Sequence, residues 1–399
     1  MSDLNATYAQ DLSPGCQICR QGKWSCLFIN DVCTADCYFC PKLTNQRTLP
    51  RANRIPFPDI EAYLAFISTQ NITGISFSGG EPLLSLDQIL KWTFRIRERF
   101  GSSVYLWLYT NGDLINNSIL SDLAKVGIDE IRFNICARDY DLSRVALACE
   151  SMPIVTVEIP AIPNDENILW DAIKKMSKIG VSYLNLHELY VTSTNHEAMK
   201  RQGYHFDFHG FSTPIQGSKD LALRMIQKGT AQGSKIFIHY CSLSYKQTTQ
   251  NTVSRHQASK MLKKPFQTIT ASGFIRCVFI QLETQEVFQE INLLKEKKGL
   301  WDFDLASQRL FIHPSLLIQP ELQAYKGGIQ YFDAEFSTVD KELMEIYQVF
   351  KEKMISPGFR LRVGGWETGT LRDISVSDLK AILIDNKLWL EKMRRYEEG

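Results

Sequence analysis

The chain has 399 residues, a length that suits one large domain with a smaller one, or two similar ones. With 44% apolar residues it can bury a full core, and 45 basic against 44 acidic residues leave no global field to draw it to nucleic acid or an anionic membrane. No apolar run approaches the ~18 residues of a spanning helix. The opening Met1-Ser-Asp-Leu-Asn-Ala-Thr7 lacks the basic and apolar regions of a signal peptide. A cytoplasmic setting is expected, where thiols stay reduced and the ten cysteines favour metal ligation over a disulfide framework.

In chain order, residues 1–22 read as an irregular N-terminal segment carrying Cys16 and Cys19. From 23 to 245, strand-like apolar runs at 24–30, 72–78, 104–110, 130–136, 153–159 and 183–189 alternate with helical stretches near 58–69, 85–100, 116–126, 141–150 and 167–178. This βα alternation predicts an α/β fold with a parallel sheet and right-handed crossovers, and 235–240 adds an edge strand. Residues 246–263 are polar and basic, a linker or exposed helix. Beyond them the pattern changes to a strand at 274–282, an amphipathic helix at 286–297, a helix at 338–354, a strand at 359–363 and a closing helix at 376–396. A C-terminal α+β domain over 264–399, with a ferredoxin-like layout, is the expectation.

Cys33-Thr-Ala-Asp-Cys37-Tyr-Phe-Cys40 falls on the loop after the first strand, three cysteines spaced C-x3-C-x2-C. Three thiolates can hold three irons of a [4Fe–4S] cube and leave the fourth for an external ligand, whereas a structural cluster takes four cysteines. The bland alternative is a structural zinc or cluster site completed by another cysteine, but zinc sites favour paired units that this triplet fits poorly. The second strand is followed by Gly79-Gly80-Glu81-Pro82. In a parallel barrel both loops open on one face; two glycines let a backbone approach a ligand closely, and Glu81 can accept from an ammonium.

The two loops together resemble the cluster loop and the methionine-binding loop of the radical S-adenosylmethionine (SAM) superfamily, specifically over about 23–190. That resemblance implies a partial (β/α)6 TIM-like barrel, a [4Fe–4S] cluster on Cys33, Cys37 and Cys40 with Phe39 beside it, and S-adenosyl-L-methionine on Gly79, Gly80, Glu81 and Pro82. It implies reductive cleavage to a 5′-deoxyadenosyl radical, which abstracts hydrogen from a substrate, and an electron from a flavodoxin or ferredoxin. By the same resemblance Asn111 in Thr110-Asn-Gly112, Asn134 in the fourth strand and Glu158 in the fifth strand are further cofactor contacts. For Asn134 and Glu158 a buried polar residue satisfied by backbone is the alternative. His187 and Glu188 end the sixth strand at the same mouth.

Cys16, Cys19 and Cys26 read as the start of an auxiliary iron–sulfur cluster or a zinc site, with Cys241 as fourth ligand and Cys277 behind it. Cys26 lies mid-strand and Cys241 at a strand end, levels that differ by roughly 10–15 Å at ~3.3 Å per residue, so Cys26 reads equally as a core residue. Cys136 and Cys149 read as packing. An added α+β domain beside an open barrel mouth suits a large substrate, and modification of a ribosomally made precursor peptide is the first expectation. Activation of a glycyl-radical enzyme, tRNA or small-metabolite modification, and a non-catalytic iron–sulfur or zinc scaffold are the alternatives.

Overall fold

Seven apolar runs supply the strands of one sheet: β1 (Trp24–Asn30), β2 (Gly74–Gly79), β3 (Tyr105–Thr110), β4 (Glu130–Phe133), β5 (Ile154–Ala161), β6 (Tyr183–Glu188) and β7 (Phe237–Cys241). In this computed structural model the described residues are 6–8, 11–41, 46–52, 55–208, 212–246, 252–282, 294, 296–297, 299–318, 322, 327–339, 342–355, 362–363 and 372–373. The seven strands pair in parallel in chain order. Their connections carry α2 (Ile60–Gln70), α3 (Leu86–Phe100), α4 (Asn117–Val126), α5 (Ser143–Cys149), α6 (Glu166–Ile179), α7 (His196–Arg201) and α8 (Ser218–Ala231). This is the α/β architecture of a partial barrel, and no closed barrel forms among the described strands.

Register explains which side chains meet. Leu27, Phe77, Leu108, Ile131 and Val155 are neighbours across successive strands and are buried on one face. Ser25 shares that face, where its hydroxyl accepts from Tyr63 of α2 at 2.9 Å. The alternate residues share the other face, and besides Trp107 they include the polar Ser76, Tyr109, Arg132, Thr156, Glu158, Asn185, His187 and His239. A short helix, α1 (Pro14–Arg20), capped by Ser13, packs there through Arg132, whose Nη2 donates to the Ser13 hydroxyl at 3.0 Å.

Three details differ from the sequence reading. The run at 235–240 is not an edge strand, because Ala6–Tyr8 pairs antiparallel outside β7. Asn134 lies just past β4, at the start of a 3-10 turn over Ile135–Arg138, where its N–H is taken by the Thr110 carbonyl at 2.9 Å. A further ribbon, Tyr190–Val191 with Thr213–Pro214, follows β6.

The chain divides into two units, Met1–Asn251 with Thr338–Leu343, and Thr252–Ser337 with Met344–Gly399. The second holds α9 (Thr252–Leu262) and, apart from the Thr338–Leu343 portion of its last two strands, a sheet of β8 (Thr268–Ile269), β9 (Ile275–Gln281), β10 (Trp301–Asp304), β11 (Arg309–Ile312), β12 (Gly327–Val339) and β13 (Glu342–Ile355). Val278, Ile280, Leu310, Ile312 and Ile329 centre its core. The helix expected over 338–354 is instead the end of β12 and most of β13. Leu343, Ile346, Tyr347 and Phe350 fit a period of 3.6 while Met344, Ile346 and Phe350 fit a period of two, and β12 finds a ladder partner in β9. A ferredoxin-like layout is not what the described strands form, since they run in the order β10-β11-β9-β12-β13. The helix expected at 376–396, and that at 286–297 save 294, 296 and 297, lie outside the described residues.

Candidate active site

The cysteine loop leaves β1 at Asn30 and is fixed at both ends. Asp31 takes a two-pronged ion pair from Arg51, at 2.8 and 2.7 Å, and a further bond from Thr48. The Cys40 N–H donates to the Cys37 carbonyl at 3.0 Å, a turn that folds the two cysteines back toward each other. The Cys33 sulfur accepts from the Ala35 N–H at 3.4 Å and lies 3.9 Å from Asn111 Nδ2. Tyr38 and Phe39 pack edge to face and join a cluster with Ile162, Leu189, Val191, Met199 and Ile215. Asn195, from the excursion after β6, donates to the Phe39 carbonyl at 2.9 Å. All three cysteines are half-buried.

The Gly-Gly-Glu-Pro loop meets the cysteine loop backbone to backbone. Gly80 N–H donates to the Asn30 carbonyl at 3.0 Å and Glu81 N–H to that of Val32 at 2.7 Å. A Cβ at Gly79 would stand 2.1 Å from the Asn30 oxygen, and one at Gly80 2.1 Å from the Val32 oxygen; Gly79 also has φ +138°. The close approach these glycines permit is therefore first of all to β1's own chain. Glu81 is fully buried, its carboxylate accepting from Thr110 Oγ1 at 2.9 Å, Asn111 N–H at 2.8 Å and Leu83 N–H at 3.1 Å. The free carboxylate expected to meet an ammonium is thus already bonded within the protein. Burial pushes its pKa up to about 7 against those three donors. Pro82 opens the 3-10 turn that follows.

Asn111 Nδ2 donates to Thr34 Oγ1 at 2.8 Å, and Asp113 carries the Thr34 hydroxyl and the Arg138 guanidinium. Asn134 Oδ1 is buried and finds no partner among the described residues. Glu158 is fully engaged: Arg132 Nη1 at 2.7 Å, Asn185 Nδ2 at 2.8 Å and His187 Nε2 at 2.9 Å. Burial alone would raise its pKa; His187 and Arg132 bring it well below the ordinary carboxylate value. Burial also lowers the His187 pKa, with Lys246 adding to the effect and Glu158 opposing it. His187 Nδ1 in turn meets Lys246 Nζ at 3.0 Å, and Glu188 accepts from the Leu243 N–H at 2.8 Å. The sequence reading passed over Arg132 and Lys246. For Arg132 the signal was there, since Glu130 and Arg132 alternate with apolar residues in one strand.

Of the four cysteines expected to make an auxiliary centre, Cys16, Cys19 and Cys241 lie near enough to raise one another's pKa, while Cys26 is bonded elsewhere. Among the described residues no three of His, Cys, Asp or Glu converge on one point as a zinc site requires. Cys26 is bonded to Ser76 and Ser78, and burial pushes its thiol up to about 11. Cys16 accepts from Asn185 Nδ2 at 3.3 Å and Arg132 Nη1 at 3.6 Å. Burial raises Cys19, with Cys16 and Cys241 adding to the effect, and takes Cys241 up to about 12. Cys277 lies in the other unit and accepts from Gln267 at 3.3 Å.

An iron–sulfur cube makes a different demand on the first loop. Each thiolate takes its own iron, so the sulfurs surround the cube and need not meet at a point. Three half-buried thiols on one short loop, N–H groups aimed at Cys33 and an unpaired Asn134 oxygen on the neighbouring turn suit a cluster with a polar ligand beside it.

Residues 27–145 match the family described as the Radical SAM superfamily. Those residues form a radical SAM domain, and the chain is an enzyme. Over 318 residues, 77% of this chain and 83% of the relative, it is 25% identical to a Methanocaldococcus jannaschii protein named provisionally as a glycyl-radical enzyme activating enzyme. Among solved structures, Streptococcus suis SuiB shares 11% identity over 54% of this chain, with a TM-score of 0.39. The radical S-adenosylmethionine methyltransferase TsrM of Kitasatospora setae shares 13% over 48%, with a TM-score of 0.35. The chain spans only 48% and 39% of those two structures. Among the described residues no helix is long and apolar enough to cross a membrane.

Proposed function

We propose that this radical SAM enzyme carries a [4Fe–4S] cluster on Cys33, Cys37 and Cys40 and binds S-adenosyl-L-methionine along the main chain of the Gly79–Pro82 loop, with Asn111 and Asn134. The observation that carries the reading is the three-thiol loop fixed backbone to backbone against the Gly-Gly-Glu-Pro loop. When bound, the pair supplies a 5′-deoxyadenosyl radical, the electron coming from a reductant protein such as flavodoxin or ferredoxin in the cytoplasm. The chain's part is to hold and to shield. Arg51, Asn111 and Thr34 fix the loop, the Tyr38 and Phe39 cluster keeps water from its flank, and Asn134 Oδ1 offers an acceptor to a ligand donor.

The substrate we favour is a polypeptide that loses one hydrogen atom from carbon, and activation of a glycyl-radical enzyme is the first reading. Similarity to the Methanocaldococcus jannaschii protein over most of both chains supports it. Modification of a precursor peptide is the second reading. It is supported by the antiparallel sheet of the second unit, whose edge strand β10 is of the kind to which extended peptides add. Anaerobically reconstituted protein, reduced with dithionite, should form 5′-deoxyadenosine from S-adenosylmethionine. With a glycyl-radical enzyme from the same organism added, it should give a glycyl radical in the electron paramagnetic resonance (EPR) spectrum. Absence of 5′-deoxyadenosine, or the same yield from a Cys33→Ala, Cys37→Ala, Cys40→Ala variant, would overturn the reading.

A further inference from the structure

We infer that Glu81 is a positioning residue for the cysteine loop and not a contact of the S-adenosylmethionine ammonium. The inference rests on the cluster-bearing role proposed for Cys33. An ionised carboxylate offers about four lone-pair sites, and Glu81 has three in use. Oε1 takes Thr110 Oγ1 and Leu83 N–H, and Oε2 takes Asn111 N–H. The residue is fully buried, so an ammonium would have to enter a closed position and displace one of these donors. Removing a charge-assisted bond from a buried donor is costly.

The same residue reaches the cysteine loop by two routes. Its own N–H holds the Val32 carbonyl, one residue before Cys33, at 2.7 Å. Its carboxylate fixes the Asn111 main chain, and the Asn111 side chain then reaches Thr34 Oγ1 at 2.8 Å and stands 3.9 Å from the Cys33 sulfur. Asp113 N–H holds the far end of that amide at 2.9 Å, which leaves Nδ2 directed at the loop. Cys33 is thereby referred to two strands, β2 through Glu81 and β3 through Asn111. Thr110 completes the tie, its oxygen accepting from Gly112 N–H at 3.0 Å while its hydroxyl donates to Glu81.

Glu81→Gln tests this, because the amide puts an N–H2 against a main-chain donor while keeping the shape. In the reconstituted holoenzyme without S-adenosylmethionine, iron should pass to a chelator about tenfold faster than in wild type, and the reduced cluster's EPR signature should change. Affinity of the remaining cluster-bearing protein for S-adenosylmethionine, by calorimetry, should stay within about twofold. Asn111→Ala, which keeps the main-chain bond to Glu81, should reproduce the cluster effect. If the Gln variant does not fold, Asn111→Ala decides by the same two cluster readouts. An unchanged cluster in these variants, with or without weakened S-adenosylmethionine binding, would overturn the inference. A wild-type chain that holds no cluster would instead overturn the functional reading itself.

Discussion

One methyl group separates alanine from glycine at position 80, and there is no space for it. The Cβ would lie 2.1 Å from the Val32 oxygen, 2.5 Å from its carbon and 2.8 Å from the Asp31 oxygen, all backbone atoms that cannot turn aside. Gly80→Ala should therefore push the start of the cysteine loop away from β2. A loss of about 2 kcal/mol or more in urea unfolding is expected, together with lower iron content after reconstitution. Full iron content in that variant would contradict the packing. Glu81 supplies a second residue-scale test through pH. Its folded pKa stands raised, from 4.5 to about 7, by burial, so the folded state binds the extra proton and stability falls as pH rises across that window. Relative to Glu81→Gln, the wild type should lose about 3 kcal/mol between pH 4.5 and 7.5, and a constant difference would rule this out.

Among the elements, α1 depends most on a single side chain. Arg132 is 2% exposed and sits between Glu130 and Glu158, with its guanidinium over the Trp107 and Tyr109 rings and one nitrogen on the Ser13 cap of α1. Removing one partner of a buried ion pair strands the other, a loss of about 3–5 kcal/mol. Arg132→Leu should lower the unfolding midpoint on that scale and expose α1 to protease. Resistance equal to wild type would mean that α1 is held elsewhere. Acid should act in the same direction. Glu158 is held well below the usual carboxylate value, so its contribution is full above the ordinary value of 4.5 and drains away as pH falls through the lowered one.

At the scale of the whole molecule, the parallel strands and their helices were legible because each strand repeats one pattern: apolar toward the helices and bounded by turn residues. The cysteine and Gly-Gly-Glu-Pro loops were legible because their spacing is chemical. What the sequence hid was pairing between distant positions. Nothing local to Glu81 says that Thr110 and Asn111 use its carboxylate, and nothing near Cys26 says that Ser76 and Ser78 take its thiol. The long strands β12 and β13 were hidden for another reason, since short apolar runs satisfy both periods until a ladder partner decides.

The pairing of Ala6–Tyr8 with β7 bears on how the protein is made. The three residues leave the ribosome more than two hundred positions ahead of Phe237–Cys241, the strand they protect. At ~5–20 residues per second, that interval is on the order of 10–50 s. Throughout it the growing sheet ends in an open strand edge, first at each of β2 to β6 in turn and then at β7. Nascent chains are thus most prone to join edge to edge during synthesis, and an early release of truncated chains should aggregate where the finished protein does not.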